Sequence, residues 1–231
     1  MERGDVMHDR GYAADWRTPM DADHLLTTTR SVRKRLDYSR PIAPELIQEC
    51  IDIAIQAPTG SNQQTWSFLV VTDADKKKKL ADLYRRGFEL YAQMPREERP
   101  AEDLRQQQMP RVVDSAMYLA QTMEQAPVFL IPCIEGRFEE LPQFAQASMY
   151  GSILPAVWSF MLAARARGLG SAWTTIHLMF EAEAAEILGI PKTVTQAALL
   201  PVAYFTGDDF KPAKRIPSRE ITYWNSWGNK R

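Results

Sequence analysis

Thr29-Arg30-Ser31-Val32-Arg33-Lys34-Arg35 is followed, about one helix later, by Ala57-Pro58-Thr59-Gly60-Ser61-Asn62-Gln63-Gln64-Thr65-Trp66. The first stretch offers two hydroxyls and four cationic groups within seven residues. The second is a small-residue turn bearing side-chain amides, closed by a tryptophan that opens an apolar run. Cationic forks and hydroxyls suit a phosphate, while amides and backbone N–H groups suit the polar edge of a flat heterocycle. Together they predict a site for a mononucleotide-type cofactor, and so an enzyme.

A chain of 231 residues has room for one domain with an arm or an insertion. Its hydrophobic share of 45% is that of an ordinary globular protein. A formal net charge of -1 gives no global reason to bind nucleic acid or an anionic membrane, so the basic clusters need local explanations. Cys50 and Cys133 have no CxxC or metal-ligand spacing and read as small apolar fillers of a reducing compartment. His8, His24 and His177 are scattered and make no metal set. Met1 to Asp23 lacks the apolar core of a signal peptide. Leu141 to Ala164 carries no charge and is long enough to span a bilayer. Gln143, Gln146, Ser148, Ser152 and Ser159 interrupt it, and Pro155 is expected to kink it. It therefore reads as a buried central or interface helix. The expected location is cytoplasmic, with neither membrane nor nucleic acid as a partner.

Residues 1–22 read as a polar arm and 23–231 as a single domain. A short helix is expected from His24 to Arg30. Pro44 at a first helical position opens Pro44–Gln56, where Leu46, Ile47, Cys50, Ile51 and Ala54 keep the helical period. Pro58–Gln64 is loop. Apolar runs mark strands over Trp66–Thr72, Pro127–Ile134, Gly170–Ile176 and Ala197–Phe205. Asp73 caps a helix from Ala74 to about Glu89, on which Lys76–Lys79 read as a solvated face. Pro95, Pro100 and Pro110 break a polar excursion over 92–112, after which helical spacing resumes over Val112–Gln125. Residues 84–122 are either a lid over a site or a surface insertion. The long apolar helix spans Phe144–Arg167 and stops at Gly168, and Glu181–Leu188 is a short helix closed by Gly189. Lys211–Arg219 is a basic tail, followed by Ile221–Trp227 as an edge strand or a docking segment. Long helices with a few apolar strands predict an α+β fold, helices on a central sheet.

Gly168-Leu169-Gly170 is not a dinucleotide turn. Trp173 occupies its third glycine position, and the glycines leave a helix for a strand rather than the reverse. No GxxxxGK[ST] loop and no GxSxG elbow is present, so the reacting atom is expected to belong to a cofactor. A basic stretch beside a helix end is by itself ordinary dipole complement or solvation. Lys214-Arg215 supplies a second, distant basic site, and the two meet at one phosphate if the tail folds back.

Arg30-Ser31-Val32-Arg33, the Ala57–Trp66 turn, Gly168–Trp173 and Lys214-Arg215-x-Pro217 occur in that order. In this order they resemble the FMN-dependent nitroreductase superfamily, over about residues 24–227. The resemblance implies an α+β fold with a central, mostly antiparallel sheet flanked by helices, in an intertwined homodimer. It implies FMN bound at the dimer interface by both chains, with the apolar helix as the dimer core. Arg30 and Ser31 would hold the ribityl phosphate region, and Arg215, helped by Lys214, would clamp the phosphate. Arg33 would lie by the flavin N1/O2 edge, where a cation stabilises the charge that follows hydride uptake. Pro58, Thr59, Ser61 and Asn62 would approach the ring, and Trp173, Thr174 and Thr175 would pass its N5/O4 side. This chain has Thr29 where many members have a second arginine, and Thr65 where many have proline.

The implied activity is NAD(P)H-driven, ping-pong reduction of nitroaromatic, quinone or similar flat aromatic acceptors through flavin N5, with no catalytic side chain. Tyr84, Phe88, Tyr91, Met94 and Met109 would form the substrate lid, or else pack. The alternatives are a specialised relative (a reductive dehalogenase-like or flavin-fragmenting enzyme) and a non-catalytic flavin-binding or redox-sensing module. A nucleic-acid binder built on Arg30–Arg35 and Lys76–Lys79 is the remaining class.

Overall fold

Val-Phe-Leu-Ile-Pro-Cys-Ile-Glu, residues Val128–Glu135, forms the central strand β3. The structure is a computed structural model that describes residues 20–95, 97 and 99–231. Most of the expected N-terminal arm, 1–19, lies outside the described residues. Along one edge of β3 runs β2, Trp66–Val71, with Trp66 opposite Ile134 and Val71 opposite Phe129. Along the other edge, β6, Leu200–Phe205, pairs with Val128–Leu130, and β5, Val194–Gln196, pairs with Cys133–Glu135. β4, Leu169–Ser171, and β1, Leu36–Asp37, pair with β6. Every pairing among these six strands is antiparallel.

The two-residue period of a strand divides β3 between two cores. Val128, Leu130 and Ile134 face α2, Pro44–Ala54, and α5, Gln143–Ala166. Phe129, Ile131 and Cys133 face α3, Ala74–Gln93, α4, Leu104–Thr122, and α6, Glu181–Leu188. Coverage on both faces is why β3 is apolar without alternation. Each large side chain so buried contributes about 1.5–3 kcal/mol. Cys50 and Cys133 are buried free thiols whose pKa values burial pushes up to about 12, so they pack as apolar groups.

Several elements differ from the sequence reading. The expected strand Gly170–Ile176 ends at Ser171; Thr174 makes one isolated bridge with Leu199, and Ile176–Phe180 is a 3-10 turn. The expected strand Ala197–Phe205 begins at Leu200, and β5 precedes it. The break falls at Pro132 of β3, whose nitrogen has no hydrogen to donate, although its carbonyl still accepts from Ala197. The helix expected from Val112 starts at Leu104 and passes through Pro110. The Asp103 side chain caps its start, which helps to offset the one interior hydrogen bond that Pro110 cannot donate. α5 likewise continues through Pro155. Ile221–Trp227 forms no strand: Ser218–Ile221 is one helical turn, α7, and the chain then turns so that Trp224 N–H donates to the Asn229 carbonyl. Lys77 is not on a solvated face. It is buried, and its ammonium donates to the Ala126 carbonyl at 2.6 Å.

Candidate functional site

Residues 29–35 link α1, Ala22–Thr28, to β1. The Asp21 carboxylate caps α1 through the His24 N–H at 3.1 Å. Val32 points inward, and its N–H donates to the Ser171 carbonyl at 2.8 Å. That approach needs Gly170, because a Cβ there would lie 3.1 Å from both Leu36 and Val32 side chains. With Val32 fixed, Arg30, Ser31 and Arg33 are half-buried. Arg33 reaches Ser115 Oγ at 3.4 Å and sits beside Tyr84. Burial lowers the Arg33 pKa and raises that of Tyr84. The Nε atoms of Arg30 and Arg33 are buried without a hydrogen-bond partner. Leaving such a donor unpaired costs about 1–3 kcal/mol. An acceptor-rich anion on these two arginines removes that cost.

The basic tail does fold back onto this segment. Arg30 Nη2 donates to the Lys211 carbonyl, and Gln108 donates to the Lys214 carbonyl at 3.3 Å. Asp209 is the latch. Its carboxylate takes Arg165 of α5 on one oxygen and His24 Nε2 at 2.8 Å on the other. The Phe210 N–H adds 2.7 Å, and Arg35 donates to the Asp209 and Thr206 carbonyls at 2.8 and 2.6 Å. The Phe210 ring lies under the guanidinium groups of Arg35, Arg165 and Arg30, at 4.1, 5.1 and 5.9 Å. The Phe210 N–H, and after it the His24 and Arg165 side chains, hold the Asp209 carboxyl below its usual range. Lys214 and Arg215 project from the latched tail and are exposed.

Pro58–Gln64 is built differently. Ser61, Asn62 and Gln64 all have left-handed backbone, with φ of 51°, 53° and 51°. Three such residues that are not glycine, so close together, store strain of the kind found at functional loops. The loop rests on α5: Gly60 N–H donates to Ser152 Oγ at 2.9 Å. Gly60 fits there because a Cβ would meet Ser148 Oγ at 2.5 Å. Asn62 is exposed, and its side-chain amide oxygen Oδ1 accepts from the Gln64 amide Nε2 at 3.0 Å. Ser152 and Arg165 are both on α5, separated by roughly 20 Å at 1.5 Å per residue. One chain therefore does not bring this loop to Arg30.

Residues 172–175 follow Ser171, whose carbonyl holds the Val32 N–H. Thr174 is buried and its hydroxyl already donates to the Leu199 carbonyl at 2.6 Å, whereas Thr175 is exposed. Trp173 packs on the α2–α5 core. His177 is fully buried beside Gln196, and burial pushes its pKa down to about 4, so it is neutral. Of the lid candidates, Tyr84 is buried and stacked on Phe88 at 6.4 Å, while Tyr91 and Met94 are half exposed. Sequence reasoning missed Asp209, Phe210 and Arg165. Arg165 had a signal, as the first charge after a charge-free run of more than twenty residues (Leu141–Ala164).

The sequence profile of the Nitroreductase family matches residues 26–204. A protein of Methanothermobacter thermautotrophicus named as an NADH dehydrogenase/NAD(P)H nitroreductase is 25% identical over 204 residues, covering 87% of this chain and 83% of its own. The structure of a BluB-like flavoprotein from Clostridium difficile 630 has a TM-score of 0.67 at 21% identity, covering 90% of this chain and 100% of that one. Oxidized iodotyrosine deiodinase bound to FMN and 3-iodo-L-tyrosine has a TM-score of 0.64 at 20% identity, covering 86% of this chain and 96% of that one. At these identities the two structures bear on the fold alone.

Proposed function

The chain belongs to the Nitroreductase family, and from that premise we propose that it is an FMN-dependent oxidoreductase, carrying electrons from NAD(P)H to nitroaromatic, quinone or similar flat acceptors. The observation that carries this reading is the pair of buried, unpartnered Nε donors on Arg30 and Arg33. They fit an anion and a heterocycle edge. Arg30, Ser31, Lys214 and Arg215 hold the phosphate, and Arg33 keeps a positive charge against the N1/O2 edge. FMN supplies a hydride-accepting N5. The chain's own residues bind, orient and exclude water.

The working unit in this reading is a homodimer, in which Pro58, Thr59, Ser61 and Asn62 of one protomer face the ring held by its partner. Two observations support it. The loop and Arg30 lie far apart in one chain. α5 also leaves Phe144 at 78% and Tyr150 at 42% exposed, large apolar side chains that a partner protomer would cover. Among the described residues α5 alone is long and apolar enough to cross a membrane, and its packing on β3, β4 and α2 makes it a core helix.

A second reading is a deiodinase-like dehalogenase. It draws on the sequence likeness to iodotyrosine deiodinase 1 of Rattus norvegicus, 26% identical over 186 residues, and on the exposed Thr175 hydroxyl, with Thr174 committed to Leu199. Purified protein should be yellow and release FMN on denaturation. NADH or NADPH should bleach it without oxygen, and a nitroaromatic or quinone should restore the colour. A colourless protein that takes up no FMN overturns the proposal. Bleaching followed by recovery only with a halogenated phenol selects the second reading. Bound FMN that no nicotinamide bleaches selects a flavin-binding module.

A further inference from the structure

Between α3 and α4 lies a cavity of about 490 Å³ whose polarity is one-sided. Its walls are Phe88 and Tyr91 from α3 and Met109 and Val112 from α4, while Glu97, Arg99 and Gln106 gather on the connection and the start of α4. We propose that this cavity binds an aromatic carboxylic acid, with Arg99 as the residue that reads the carboxylate. The proposal deepens the oxidoreductase reading and rests on it for the claim that such an acid is the electron acceptor.

Arg99 is well covered, with 23% of its side chain exposed. Its Nη2 donates to Glu97, but its Nε is buried and has no partner. The Nε and Nη2 hydrogens of a guanidinium form a fork that matches two carboxylate oxygens. Glu97 fills one prong only, and at 71% exposure it is held from the solvent side. An exposed ion pair of this kind is weak. A ligand carboxylate fills both prongs and releases Glu97 to water. Asp103 adds negative charge nearby but is itself bound by Arg105, at 2.6 Å to Nη2, so it leaves the fork open. The aromatic end of the ligand lies against Phe88, which stacks on Tyr84, the neighbour of Arg33. The cavity therefore adjoins the arginine assigned to the flavin edge. Its volume falls in the range of small-ligand pockets.

The test compares 4-nitrobenzoate with 4-nitrotoluene as acceptors for the holoenzyme. Arg99→Gln should raise KM for 4-nitrobenzoate about tenfold or more at nearly constant kcat, and leave 4-nitrotoluene unchanged. Glu97→Gln should lower KM for 4-nitrobenzoate. Benzoate, which is not reduced, should raise the Tm of the wild type and not that of Arg99→Gln. An equal change for both acceptors, or none for either, overturns the proposal. If neither acceptor is reduced yet benzoate still binds through Arg99, the subsite stands and the acceptor assignment falls. If both are reduced with the same KM, the subsite falls and the oxidoreductase reading stands.

Discussion

Arg30–Arg35 and Pro58–Gln64 are held by different forces. The arginine segment is tied to α4 and the tail by hydrogen bonds from its own cations to Asp114, Ser115, Thr206, Asp209 and Lys211, and Asp209 ties that tail in turn to α1 and α5. The loop has little more than the bond from Gly60 to Ser152 and carries strained backbone instead. The first region is complete within one chain except for two unpaired donors. The second is an exposed surface whose conformation makes sense when something is pressed against it. In the proposed site one half is thus pre-set for a charge, and the other is a strained loop that one chain leaves exposed.

That contrast is open to attack from both sides. Arg30→Ala should weaken FMN by about 10–100-fold, the worth of a charged hydrogen bond or two, and leave riboflavin, which lacks the phosphate, nearly unchanged. Titration of apoprotein with the two flavins reads this directly. Equal losses for both would remove Arg30 from the phosphate.

Asp209→Asn comes next. It strands the well-covered Arg165 and should cost about 1–2 kcal/mol in urea unfolding, less than a fully buried pair because Asp209 is 45% exposed. It should also weaken FMN more than riboflavin, because the tail that carries Arg215 loosens. The folded carboxyl titrates lower than the unfolded one, at about 3.9. Its stabilisation is therefore present above that value and is lost as pH falls through the folded pKa. The variant should show a flatter acid limb than the wild type.

Ser152→Ala removes the acceptor for Gly60 and should cost about 1 kcal/mol. Here FMN and riboflavin should weaken together, since in the proposed site the loop faces the ring and not the phosphate. Asn62→Gly is the smallest change. Relief of a left-handed backbone should raise stability by a few tenths of a kcal/mol, read as Tm, while flavin affinity falls with the lost side chain. A gain in both would mean that the strain has no part in binding.

Much of the fold was legible because it rests on local pattern. β3 announced itself by an uninterrupted apolar run, α3 by Asp73 followed by helical spacing, and α5 by a charge-free stretch bounded by Gly168. The broken strands were not legible. Ala197–Phe205 is one apolar run whose strand starts only at Leu200, β5 is a polar Val-Thr-Gln with no apolar pattern to announce it, and Pro132 on their shared partner marks the gap between them. Pro110 and Lys77 misled for a related reason. A well-capped helix tolerates the loss of one hydrogen bond, and a lysine stem is buried where a carbonyl such as that of Ala126 waits for its ammonium.

The sequence by itself determined the chemical inventory: cationic forks early and late, a small amide-bearing turn, and a helix with no charge to keep it in water. Local propensity and charge pattern are carried by neighbouring residues, so they can be read along the chain. Only the tertiary structure decided which of these groups meet. It latched the tail to Arg165 and His24 through Asp209, brought the Lys211 carbonyl to Arg30, left Arg33 with an unpaired donor, committed the Thr174 hydroxyl to Leu199, and set Pro58–Gln64 far along α5 from the arginines. Hydrogen bonding and burial depend on distances between residues remote in sequence, and no reading of adjacent residues contains those distances.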